Sequence, residues 1–236
     1  MKNKIFITAI SLLLGLVLAL QYQLVKDTAG GIVFSQRINQ LTSELKVANE
    51  EKSQLLSDLN ELESKLRQYE SSAAEESIYV KALSEELAKF RQLAGFTDVK
   101  GPGVIVVLDN PPADNQFSDF SSNLIFNYEY ILLVISNLNA AGAEAISING
   151  QRHTNYTEIV PVGTHLNING VSVIPPIEIK AIGNRQTLES VLNFKGGTIW
   201  EMRNLNFQVD IRVLEEIEIQ RQIRVFDFRY AQPYES

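Results

Sequence analysis

Asn149, Gln151, Arg152, His153 and Glu158 gather donors, acceptors and both signs of charge around one turn. Gln151 and Arg152 are the pair best suited to recognition, because a guanidinium fork holds a carboxylate in two hydrogen bonds. On that reading they line a groove for a peptide or a glycan, with Phe117 and its loop as the rim. On the plainer reading Asn149-Gly150 only turns a hairpin and Arg152 pairs with an acid for stability. Catalysis has less behind it. His153 and His165 are the two histidines, and with Glu158 as the nearby acid they fall short of the three or four convergent ligands of a metal site. Glu144 and Glu158 are the acids a paired-carboxylate hydrolase would use, but both read as solvated surface groups. Ser147 lacks the flanking glycines of a nucleophile elbow. No phosphate-cradling glycine loop follows a strand, and there is no cysteine. No catalytic residue, metal or cofactor is implied, and a non-enzymatic role is expected.

The elements that must position these residues follow from turn chemistry and periodicity. Residues 143–148 read as a strand, Asn149-Gly150 as a type I′ turn and 151–160 as the strand pairing back. Upstream, Gly101-Pro102-Gly103 leads into a buried-strand run over 104–108, followed by a long loop over 109–122. A helix is expected from about Asn127 to Asn139, with Tyr130, Leu133, Val134 and Leu138 as its apolar face and Gly142 closing it. Downstream, 165–168 and 171–174 flank Asn169-Gly170 as a second hairpin. Pro175-Pro176 bends the chain, and 177–182 is extended. Residues 185–192 form a helix behind Gly183-Asn184, and 198–203 a short helix or turn. In 207–213, Phe207, Val209, Ile211 and Val213 point inward, and 217–225 holds a last strand. The order predicts an α+β domain over 99–230, helices on one face of a mainly antiparallel sheet, close to a ferredoxin-like β-α-β-β…α-β arrangement with additions. Residues 231–236 are a tail.

The N-terminal part reads differently. Residues 36–94 repeat apolar residues at alternating spacings of three and four, without proline or glycine. Ile38, Leu41, Leu45, Leu55, Leu59, Leu62, Leu66, Leu83 and Leu87 carry the seam, which predicts a coiled coil roughly 85 Å long that pairs with a copy of itself. A thin seam at 71–76 marks a candidate hinge. Residues 5–25 hold a charge-free apolar run behind Lys2 and Lys4. This predicts a transmembrane anchor with residues 1–4 in the cytoplasm and everything beyond a linker at 26–35 outside. A cleaved signal peptide is the competing reading, disfavoured by the lack of a small-x-small site. A net charge of −7 without a basic cluster gives nucleic-acid binding no support.

Three blocks carry a resemblance: 101–108 (GPGVIVVL), 140–152 (AAGAEAISINGQR) and 169–183 (NGVSVIPPIEIKAIG), the last followed by Leu188 and Leu192. They resemble the DUF881 family, the YlxW/YlxX-like group of bacterial proteins of uncharacterised function. The likeness covers the distal domain and the anchor-plus-coil arrangement. It implies single-pass membrane proteins, some encoded beside cell-division genes, and it supplies no catalytic residue. Two positions depart from the family pattern. The acidic stretch ahead of the first domain helix reads Asn127-Tyr128-Glu129-Tyr130, and His153 stands where an aliphatic residue is usual.

Together these readings predict a non-enzymatic membrane-anchored coiled-coil scaffold of the bacterial envelope, linked to cell division, whose domain touches division or cell-wall-synthesis proteins. The alternatives are an extracytoplasmic sensor or binding module for a small ligand or cell-wall fragment, and an envelope hydrolase.

Overall fold

A computed structural model describes residues 2–112, 123–223 and 230–232. The chain divides into two compact units, Met1–Lys81 and Ala82–Ser236.

The first unit corrects the N-terminal expectations. Helix α1 (Lys2–Glu76) stops before Ser77, and α2 (Ile78–Leu93) begins after it. Lys81 N–H donates to Ser77 O (3.0 Å), so a new helix opens there. The single rod over 36–94 is thus interrupted. Within this chain the expected coiled-coil seam is not packed: Ile38, Leu41, Leu45, Leu55, Leu62, Leu66, Leu83 and Leu87 are exposed and Leu59 is half-buried.

Among the described residues no helix is long and apolar enough to cross a membrane. Spanning takes about 20 consecutive apolar residues, and most side chains of 5–25 lie outside those described. The anchor over 5–25, the bilayer contact and the topology derived from it are overturned on that ground. The membrane-anchored scaffold that depended on them falls too.

The second unit is an α+β domain. Its order is β1 (Val99–Asp109), α3 (Glu129–Ala140), β2 (Ala145–Ile148), β3 (Gln151–Arg152), β4 (Ile159–Val162), β5 (His165–Ile168), β6 (Val171–Val173), β7 (Ile177–Ile182), α4 (Arg185–Leu192), α5 (Thr198–Asn204) and β8 (Gln208–Ile219). Five strands form a sheet in the order β3-β2-β7-β1-β8, each neighbouring pair antiparallel. β7 lies between β1 and β2, so the β1-α3-β2 unit is split by a strand from the other half. A second sheet, β4-β5-β6, is inserted between β3 and β7.

Successive strand residues face opposite sides, and the core follows from that. Val104, Val106 and Leu108 of β1 join Ile177, Ile179 and Ala181 of β7 against the helices. Ile105 and Ile182 turn the other way, to Ala145, Ile217 and Ile219. Full burial of each large aliphatic side chain contributes about 1.5–3 kcal/mol. Leu166 and Ile168 of β5 join the main core, which ties the small sheet to the large one.

Gly103 is fixed by close approach. A Cβ there would lie 1.9 Å from the Ala181 carbonyl oxygen, beside the bulge between Gly101 and Gly103 where β1 shifts register against β8.

Several local expectations are corrected. α3 buries Ile131, Val134, Ile135 and Leu138, while Leu133 is exposed. The i, i+3, i+4, i+7 stripe therefore begins at Ile131, one residue later than expected. The region read as two late strands is one strand, β8. Its acidic residues Glu215, Glu216 and Glu218 sit on a sheet edge, where charge is tolerated. Val213 is exposed there. Residues 151–160 do not pair back as one strand, because β3 ends after Arg152.

Candidate functional site

Edge strand β3 is fixed by a turn on each side. Asn149 (φ 45°) and Gly150 (φ 76°) form a two-residue left-handed turn. Asn149 is bound to β7: its N–H donates to Glu178 O (2.8 Å) and its Oδ1 accepts from Glu178 N–H (2.9 Å). Beyond β3, His153 N–H still donates to Ile146 O (2.8 Å). Thr154 N–H then donates to Thr157 Oγ1 (2.7 Å), and the chain turns away. Arg152 and His153 are thereby held rigidly at the sheet edge. Arg152 lies opposite Ser147 of β2, so the two side chains share a face. Both are buried, Arg152 at 7% exposure and Ser147 at 2%.

The facing wall is the end of α2. Gly95 (φ 79°) terminates that helix: Gly95 N–H donates to Gln92 O (3.0 Å) and Phe96 N–H to Arg91 O (2.9 Å). Gln222, just past β8, clamps this end. Its N–H donates to Gly95 O (2.8 Å), its Nε2 donates to Ala94 O (2.8 Å), and its Oε1 accepts from Thr154 Oγ1 (3.2 Å). Between the two walls lies a cavity of about 560 Å³, a typical size for a small-molecule site. Leu93, Phe96, Ala143 and Ile146 give it apolar walls, and Arg152 and His153 line it as polar groups.

The electrostatics are unusual. Arg152 Nη1 and His153 Nδ1 are buried without a hydrogen-bond partner in the protein. Burial lowers the Arg152 pKa, and the charge of Asp98 opposes that shift. The guanidinium remains a cation at neutral pH. Asp98 does not close on it; one Asp98 oxygen accepts from Arg221 N–H (2.7 Å). Burial also lowers the His153 pKa below its ordinary 6.5, so the imidazole is neutral at pH 7. A buried cation with an open donor costs stability, so its retention calls for a use.

The other residues singled out in the sequence lie elsewhere. Asn149 builds the turn. Gln151 is half-buried on β3, opposite Ile148. Glu158 is exposed, and its N–H donates to Asn169 Oδ1 (3.1 Å). Phe117 lies outside the described residues. The structure thus brings Arg152 and His153 together and leaves Gln151 and Glu158 off the cavity. Sequence reasoning missed Leu93, Phe96 and Gln222 as site residues. Nothing local in the sequence marks Gln222. Glu144, read as a surface acid, is exposed and lines the cavity. Among the described residues no group of three or more His, Asp or Glu could hold a metal.

The profile of a family described as "Bacterial protein of unknown function (DUF881)" matches residues 86–232. The chain belongs to this family. DUF881 relatives include UPF0749 protein YlxW of Bacillus subtilis, 32% identical over 53% of this chain and 53% of that protein. UPF0749 protein Rv1825 of Mycobacterium tuberculosis is 24% identical over 98% of this chain and 78% of its own length. The chain spans about half the length of YlxW and over three quarters of Rv1825. A crystal structure of an uncharacterized conserved protein from Mycobacterium tuberculosis aligns with a TM-score of 0.48 at 27% identity, over 63% of this chain and 99% of that one. The family match covers β3, the end of α2 and Gln222, and hence the whole cavity.

Proposed function

We propose that the second unit is a non-catalytic binding module whose site is the cavity between β3 and the end of α2. The observation that supports this is Arg152: a guanidinium at 7% exposure on the lining of a cavity of about 560 Å³, its Nη1 buried without a protein partner. A structural arginine would spend its donors on protein acceptors. The nearby carbonyls of Ala94 and Gly95 are already taken by Gln222.

The non-catalytic part rests on the lining. Among the described lining residues Glu144 is the sole carboxylate, and no serine, threonine or lysine stands with a base in nucleophile geometry. Rigid turns on both sides of β3 suit recognition, because a preformed site loses little entropy on binding.

Thermal-shift screening of the full chain against a chemically diverse fragment set, with Arg152→Met as the control, tests the proposal. Fragments should raise the melting temperature of the wild type and not of the variant. Shifts of equal size in both proteins would refute the cavity as the binding site.

A further inference from the structure

We infer that the free edge of β8 is a docking surface for a second copy of this chain, the two β8 strands pairing antiparallel about Ile211. None of the residues lining the cavity belongs to β8. Among the described residues β8 ends the five-stranded sheet, with β1 on one side and no strand on the other. Two hydrogen bonds fix which of its backbone groups point out. Gly183 N–H donates to Pro102 O (2.9 Å), and Asn149 N–H to Glu178 O (2.8 Å). Bonding alternates along an antiparallel ladder, so Val104, Val106 and Leu108 bond β7, whereas Ile105, Val107 and Asp109 bond β8. Their partners on β8 are Arg212, Asp210 and Gln208. The N–H and C=O groups of Val209, Ile211 and Val213 therefore face away from the sheet. Arg203 shows the same direction: its Nη2 donates to Val209 O at 3.4 Å, a long bond that an incoming strand can displace.

Charge selects the register. A two-fold antiparallel pair sets outward groups against outward groups, so its axis passes beside one residue. Centred on Asp210 or Arg212, that residue meets its own copy, and like charges oppose each other. Centred on Val209, Ile211 and Val213 fall opposite residues that precede the strand. Centred on Val213, the pairing runs into Glu215-Glu216, where β8 carries an extra residue against β1. Centred on Ile211, all three outward residues are used: Ile211 meets Ile211, and Val209 meets Val213, each pair exchanging two backbone hydrogen bonds. Asp210 then meets Arg212 on both sides of the axis, in the closer, non-hydrogen-bonded kind of pair. Both side chains are exposed and share a face, Arg212 Nε lying 3.2 Å from Asp210 Oδ2, so the dimer brings four charges together in alternating sign. On the other face the exposed Val213 gains Val209 of the second copy as a β-branched neighbour. β8 thus contains its own complement.

Sedimentation equilibrium of the full chain tests this, with unfolding curves to show that each variant is folded. The wild type should form a reversible dimer. Asp210→Arg and Arg212→Asp each set like charges opposite one another and should weaken association about ten-fold or more. An equimolar mixture of the two variants should associate as the wild type does, because each strand then meets opposite charges. Disulfide formation reads the register, since the chain has no cysteine of its own. Ile211→Cys puts the two cysteines at a Cα separation of about 5.5 Å, within disulfide range, and should cross-link on oxidation. Gln208→Cys leaves them about 20 Å apart along the strands and should not. The β8 interface is overturned by a monomeric wild type, or by association that both charge variants leave unchanged. A mixture as weak as its components, or a Gln208→Cys chain that cross-links as readily as Ile211→Cys, overturns it equally.

Discussion

Replacing Arg152 by methionine should make the protein more stable. The side chain is 7% exposed, and its Nη1 has no protein partner. A buried polar group left unpaired costs about 1–3 kcal/mol, more when it is charged. Methionine removes that cost and keeps the unbranched stem. A Cβ placed on Gly95 would lie 3.6 Å from Arg152 Cγ, so the stem packs against the end of α2, and a thioether fills the same path. What is lost is the attraction to Asp98, which only partly offsets desolvation. The balance favours the variant by about 1 kcal/mol, or roughly 2–4 °C in melting temperature for a chain of this size. Calorimetry and urea unfolding of the full chain measure it, with an unchanged denaturant slope confirming that the effect is on stability. A drop of several degrees would refute the reasoning, because it would mean that the guanidinium is held by internal contacts and serves the fold.

Other consequences are as direct. Gly103→Ala places a Cβ 1.9 Å from the Ala181 carbonyl oxygen and should cost more than about 4 kcal/mol or prevent folding. Gly142→Ala, with φ at 81° and no atom within 4 Å, should cost only about 1 kcal/mol; urea denaturation of the two variants gives the comparison. The folded His153 has a pKa below 6.5, so below pH 6.5 the unfolded chain binds a proton that the folded protein resists. Stability should therefore fall as pH drops from 6.5 towards the folded value, by up to about 1.4 kcal/mol per pH unit, and be complete above 6.5. His153→Gln should flatten that slope in melting temperature against pH. Asn184→Ala removes the side-chain acceptor for Thr187 N–H (3.1 Å) at the start of α4 and should cost about 1 kcal/mol in the same unfolding assay.

Local chemistry was the part of the fold most legible in the sequence. Asn149-Gly150 and Asn169-Gly170 both adopt positive φ, as residues of these types do wherever a two-residue turn demands it. β7 and α4 follow from alternation and from the Asn184 cap in the same way. Arg152 stood out because a guanidinium fork beside a tight turn suits carboxylate recognition, and His153 because it departs from the family pattern.

The missing half of the site is long-range. Gln222 Nε2 reaches Ala94 O across 128 positions of sequence, and no periodicity encodes such a contact. β8 was split in two because its glutamates break apolar alternation, yet an edge strand keeps its ladder through the backbone regardless of those side chains. The seam from Ile38 to Leu87 misled for a related reason. Regular spacing states where leucines could meet a partner helix, but it does not mark the break at Ser77, and within this chain the seam is exposed except for the half-buried Leu59.

The most direct measurement is a crystal structure of the full chain soaked with a fragment that raises its melting temperature. The account predicts the fragment in the cavity between β3 and the end of α2, against Leu93 and Phe96. A fragment bound elsewhere, with the cavity empty, would contradict it.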